Sequence, residues 1–257
     1  MTPAGYNGVP AGSYMLIILK KYNRSTEKKH MIYLAIIPSI ILFIIVWRSD
    51  KIEKEPVGLL LKLFFFGALT IISAIVVGMV SQYIITDFID EGSLLFIVID
   101  NYLLTALVEE GGKYFVLKKT TWKHPAFNYV FDAVVYSVCA SLGFATFENI
   151  MYLLNEGIGT AIGRGLLSVP GHVIDAIYMG CYYGMAKLAF AEGDTKKMKS
   201  SLIKALWIPV LLHGTYDFCL SSGYDVFLVV FFIFEIVITI FSIKKLRKLS
   251  KEDRPIP

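Results

Sequence analysis

The sequence predicts an all-α, polytopic membrane helical bundle of about seven transmembrane helices. Three observations carry that prediction. Of 257 residues, 56% are hydrophobic, and the mean hydropathy is +0.62, too apolar for a soluble domain. The apolar residues fall into seven long runs, each near or above the length that crosses a bilayer. The loops between the runs alternate between basic and charge-poor or acidic.

The runs in order are 31–47, 58–80, 94–117, 130–154, 166–189, 202–220 and 226–243. The first reaches only the lower limit for a span. Loop 48–55 holds Arg48, Lys51 and Lys54, whereas 81–92 holds no Lys or Arg but Asp87, Asp90 and Glu91. Lys118, Lys119 and Lys123 follow the third run, and Lys196, Lys197 and Lys199 follow the fifth. Loop 155–165 carries only Arg164, and 221–225 carries no base. The positive-inside rule then makes loops one, three and five cytoplasmic, together with the basic tail 244–257. Asp50, Glu55 and Pro56 read as a solvated loop, and Asp132 as a structural residue at a helix start.

With seven spans the N-terminus must lie outside, yet Lys20, Lys21, Arg24, Lys28 and Lys29 precede the first run. Residues 1–30 are therefore expected to be an N-terminal extension, non-native or disordered. The rival is a cytoplasmic N-terminus with one run re-entrant. Residues 31–243 form one membrane-embedded domain, since no loop is large enough for a soluble one. Cys139, Cys181 and Cys219 are scattered within runs, so neither a disulfide framework nor a thiolate metal site follows. The net charge of +4 belongs to the loops and implies a lipid bilayer partner rather than nucleic acid.

Six ionisable residues interrupt the apolar runs: Glu109, Glu110, Glu148, His172, His213 and Asp217. A charged group at the bilayer centre costs at least about 2.5–3.5 kcal/mol, so a cluster of them demands mutual partners or a watered cavity. Glu109 and Lys113 are four apart and share a helix face, while Glu110 is turned away by about 100°. Adjacent carboxylates in low dielectric do not titrate alike, which is how one becomes a base near neutral pH. Gly111 and Gly112 leave room for a close backbone, water or an unwound substrate. Ala140, Ser141, Gly143 and Ala145 permit close helix packing beside Glu148 and Asn149. His213 and Asp217 stand at i and i+4, the spacing at which the acid orients the imidazole. His plus carboxylate also suits Zn²⁺, but no H-E-x-x-H occurs, and zinc is not favoured. From the loop charges, Glu148, His172, His213 and Asp217 lie in the outer half of the membrane. Glu109 and Glu110 could lie up to about 20 Å deep, unless the segment before residue 102 is partly interfacial. Proton-coupled transport, or a non-catalytic scaffold, remains the alternative to an enzyme at this point.

Glu109-Glu110-Gly-Gly-Lys113 matches an E-E-x-x-K motif, Phe144 to Asn149 an F-x-x-x-E-N element, and His213 to Asp217 an H-x-x-Y-D element. Asp50 to Pro56 adds a D-x-x-x-x-E-P loop, and Arg164 to His172 also fits. Together and in order, these resemble the PrsW family of intramembrane proteases, over residue 31 to the C-terminus. The resemblance implies a core like that of the CAAX prenyl endopeptidases, whose second motif ends in His where this chain has Glu148. It implies a glutamic-type intramembrane peptidase without a cofactor in a bacterial cell membrane. Its partner would be a single-span anti-sigma factor, cut first (site-1) on its extracytoplasmic side to activate an envelope-stress sigma factor. Glu109, Glu110, Glu148, His172 and His213 would be catalytic, with Lys113, Asn149 and Asp217 in support.

Overall fold

The computed structural model describes residues 32–33 and 35–257; the extension expected over 1–30 lies outside them. The described chain is helical, with one isolated bridge between Tyr129 and Pro255. Helix α1 spans Ala35–Ser49. Then come α2 (Val57–Ile85), α3 (Leu94–Ile99), a π-helix (Asp100–Ala106), α4 (Leu107–Thr121) and α5 (Asp132–Glu156). The chain ends with α6 (Ile158–Leu166), α7 (Ser168–Ala191), α8 (Thr195–Ser221) and α9 (Asp225–Lys251). Among the described residues the first run lies on α1, the third on α3, the π-helix and α4 together, the fifth almost wholly on α7, and the others on α2, α5, α8 and α9. Helices α2, α5 and α9 are each long and apolar enough to cross a membrane, and α1 is a shorter apolar helix.

Helix α5 is the centre. Every residue from Asp132 to Thr146 is buried, as expected of a helix enclosed on all sides. It packs between α2 and α7, and α7 in turn packs on α8. The α2–α5 crossing is backbone to backbone. A Cβ on Gly143 would stand 1.9 Å from the Phe64 carbonyl oxygen, and one on Gly67 2.0 Å from that of Ala140. Small residues make this approach possible, in line with the expectation from Ala140, Ser141 and Gly143. By contrast, α2 and α9 turn apolar stripes outward: Leu61, Phe65, Leu69 and Ile72 on one, Val229, Phe232, Ile233 and Ile236 on the other. Exposed apolar faces of this extent suit lipid, not water.

Two features depart from the sequence reading. The third run is not one regular helix, because the π-helix interrupts it. Its Asn101 Nδ2 donates to Ser221 Oγ at 2.8 Å, and Tyr102 Oη lies 2.8 Å from Thr215 Oγ1. These bonds fix the segment before Glu109 against α8. In the Asp50–Pro56 loop, Lys51 to Lys54 and Pro56 are exposed as expected, but Asp50 and Glu55 are not: they are 2% and 4% exposed. Glu55 accepts from the Tyr136 hydroxyl of α5, which ties the loop to α5.

Candidate active site

Four helices converge on one buried cluster. Helix α4 carries Glu109 and Glu110 side by side with Lys113 one turn on, and Gly112 lets it approach α2, where a Cβ would meet Thr70 at 3.1 Å. Helix α5 supplies Glu148, α7 supplies His172 and Asp175, and α8 supplies His213 and Asp217.

Lys113 stands in the middle and is 1% exposed. Its Nζ lies 2.6 Å from Glu110 Oε1, 3.7 Å from Glu109 Oε2 and 3.1 Å from His172 Nδ1. Lys113 thus pairs with both acids, the i,i+4 pair with Glu109 included, and Glu110 is the nearer. It also sits 4.2 Å from the centre of the Phe144 ring, a cation–π contact in a dry site. An ammonium has no acceptor, so Nδ1 of His172 accepts and its Nε2–H donates to Glu148 Oε2 at 3.0 Å. The same Glu148 oxygen lies 2.6 Å from the Arg164 guanidinium. His213 has a carboxylate at both nitrogens: Glu110 Oε1 at 2.9 Å from Nδ1 and Asp217 Oδ2 at 3.1 Å from Nε2. Both nitrogens can donate there, which is the pattern of an imidazolium. The two imidazole rings lie 5.1 Å apart, edge to face.

A cavity of about 350 Å³ opens over the cluster, lined by Glu109, Glu148, His172, Asp175, His213 and Asp217 among others. The two glutamates of α4 differ in access. Glu109 lines the cavity and is 8% exposed, whereas Glu110 is fully sealed.

All but one of the expected site residues meet here. The exception is Asn149, whose amide donates to the Ala35 carbonyl at 3.1 Å and so ties α5 to α1 instead of facing the cavity. Two further acids join. Asp175 is buried 4.0 Å from His213 Nδ1, and Glu235 of α9 lines the cavity wall. Both carried a usable signal, an acid within an apolar run.

The residues also fit a divalent cation. Glu109, Glu110, His172 and His213 each bring a ligand atom within 4.8 Å of the others, a carboxylate–imidazole donor set that suits zinc. Glu109 Oε2 and Glu110 Oε2 have no hydrogen-bond partner among the described residues. Lys113 already contacts Glu110 and His172, so an ion held here would compete with that ammonium.

A helical membrane bundle with carboxylates, imidazoles and a lysine around a buried cavity has the makings of a hydrolase working at membrane depth. The comparisons supply the family. The model of the PrsW family intramembrane metalloprotease matches residues 55–243. The chain is 36% identical to "Protease PrsW" of Geobacillus kaustophilus over 75% of its own length and 80% of the relative's. It is 33% identical to that of Halalkalibacterium halodurans over 86% and 97%, and 32% identical to that of Bacillus subtilis over 73% and 81%. This chain belongs to the PrsW family of intramembrane proteases. No solved structure matches it.

Proposed function

We propose that the chain is a site-1 endopeptidase that makes the first cut in a single-span anti-sigma factor, on the extracytoplasmic side. The carrying observation is the unequal access of the paired glutamates. Glu109 faces the cavity, while Glu110 is sealed against Lys113 and His213. Glu109 is then the base that takes a proton from water, and the resulting hydroxide adds to the scissile carbonyl carbon. His213, set by Glu110 and Asp217, gives its proton to the amine as the C–N bond breaks. The Lys113 charge favours the oxyanion, and His172, held by Glu148, keeps that ammonium in place. Arg164 fixes Glu148.

The family's description as a metalloprotease, together with the two carboxylate oxygens that accept no hydrogen bond among the described residues, favours a second version. Glu109, Glu110, His172 and His213 would hold a divalent ion, which would supply a polarised water. The depth of the cavity supports the side of cleavage. His213 stands eight residues before Ser221, the outer end of α8 by the loop charges, or roughly 12 Å down at 1.5 Å per residue. The same charges put the C-terminus in the cytoplasm.

Purified protein in detergent, incubated with single-span substrates, tests all of this. Glu109→Gln should lower cleavage by about 10²–10⁴-fold and leave the fold intact. Full activity in that variant removes Glu109 as base. Unchanged cleavage after exhaustive chelation keeps the metal-free version, and loss restored by Zn²⁺ selects the other. Products cut only on the cytoplasmic side overturn the proposed orientation.

A further inference from the structure

A second group of acids gathers at the end of the bundle formed by the α1–α2 loop, the start of α5 and the C-terminal tail. Glu53, Glu55 and Asp132 each bring a carboxylate oxygen within 4.8 Å of the others. All three lie apart from the catalytic cavity, and none of them lines it. Glu53 is exposed, whereas Glu55 and Asp132 are 4% and 1% exposed.

The hydrogen bonding of this group is incomplete. Asp132 Oδ2 accepts from the backbone N–H of Asn128 at 3.0 Å and of Tyr129 at 2.7 Å. Glu55 Oε2 accepts from Tyr136. Their second oxygens, Asp132 Oδ1 and Glu55 Oε1, are buried with no hydrogen-bond partner among the described residues. Buried carboxylate oxygens without a donor are costly unless something positive meets them. Lys54, the base beside Glu55 in the loop, turns elsewhere: its ammonium donates to the carbonyls of Trp47 and Asp50 and lies over the Trp47 ring.

We propose that Glu53, Glu55 and Asp132 form a binding site for a hard divalent cation of the Mg²⁺ or Ca²⁺ class, separate from the catalytic cluster. The donors are all oxygen, with no imidazole or thiolate, which selects hard cations over zinc. The exposed Glu53 is the entry side, and the two orphaned oxygens supply buried ligands. Such an ion clamps the α1–α2 loop to α5, at the end that the tail also covers: the N–H of Phe131 donates to Asp253. By the loop charges this end faces the cytoplasm, where Mg²⁺ is the abundant candidate. The site does not depend on the proposed protease mechanism.

The test is thermal unfolding of the full chain in detergent, stripped with chelator and titrated with MgCl₂ or CaCl₂ at constant ionic strength. At about a hundredfold excess over Kd, one of the two ions should raise Tm by about 5 °C or more. A response to Mg²⁺ at millimolar levels identifies the cytoplasmic ion, and a response to Ca²⁺ alone identifies the other. Glu53→Gln, at an exposed position, should fold and need about tenfold more ion for half the effect. Glu55→Gln should be more stable than wild type without ion and insensitive to it. Glu110→Gln, which alters the catalytic cluster, should keep the response. No rise with either ion, a rise unchanged by Glu53→Gln, or a rise lost in Glu110→Gln overturns the proposal.

Discussion

Replacing Lys113 by methionine is the sharpest probe of the buried cluster. The ammonium is 1% exposed and lies 2.6 Å from Glu110 and 3.1 Å from His172. Methionine fills much of the same volume but leaves Glu110 with His213 as its remaining charged partner, and Glu109 with His213 at 3.8 Å. Breaking a buried ion pair by removing one partner costs about 3–5 kcal/mol. For a chain of this size that corresponds to a fall in Tm of about 10 °C. Removing both charges should be milder, because nothing ionised is then stranded. The double variant Lys113→Met with Glu110→Gln should recover most of the loss, a coupling of about 2 kcal/mol or more. All three cysteines, Cys139, Cys181 and Cys219, are free and buried, so a thiol-reactive dye reports unfolding directly. If Lys113→Met melts with wild type, or the double variant loses the sum of the two single losses, Lys113 is not the charge that holds the cluster. Neither variant should cleave substrate.

The remaining predictions separate structure from chemistry. Asn149→Ala removes the bond to the Ala35 carbonyl and should lower stability by about 1 kcal/mol while leaving kcat unchanged; a kcat falling tenfold at constant Tm would put Asn149 back in the site. Gly143→Leu drives a side chain into the Phe64 backbone, so folded yield measured by size-exclusion chromatography should collapse, and normal yield would mean that the α2–α5 crossing is wrong. Arg164→Ala frees one side of Glu148. It should lower cleavage through the weakened hold on His172, with partial rescue by Arg164→Lys measured in the same assay.

Much of the fold was legible in the chain itself. The seven apolar runs gave the helical stretches, because in lipid every backbone N–H and C=O must be satisfied within its own segment. Glu109, Glu110, Glu148, His172 and His213 stood out because an ionisable group in such a run is expensive. Tertiary structure decided their relations. Whether Glu109 or Glu110 lies nearer Lys113 depends on which acid His213 also reaches from α8, a contact across 103 positions. Asn149 follows Glu148 in sequence, but one residue turns a helix by about 100°, and that rotation aims it at α1. The π-helix gave no periodic signal, since a single widened turn hides inside an apolar run. Asp50 and Glu55 looked solvated because the loop around them is largely polar and is indeed exposed, and only the tertiary contact with Tyr136 shelters Glu55. Local composition determined which residues had to be sheltered; the packing of α4, α5, α7 and α8 determined which of them meet, because those meetings are set by helix rotation and crossing and not by spacing along the chain.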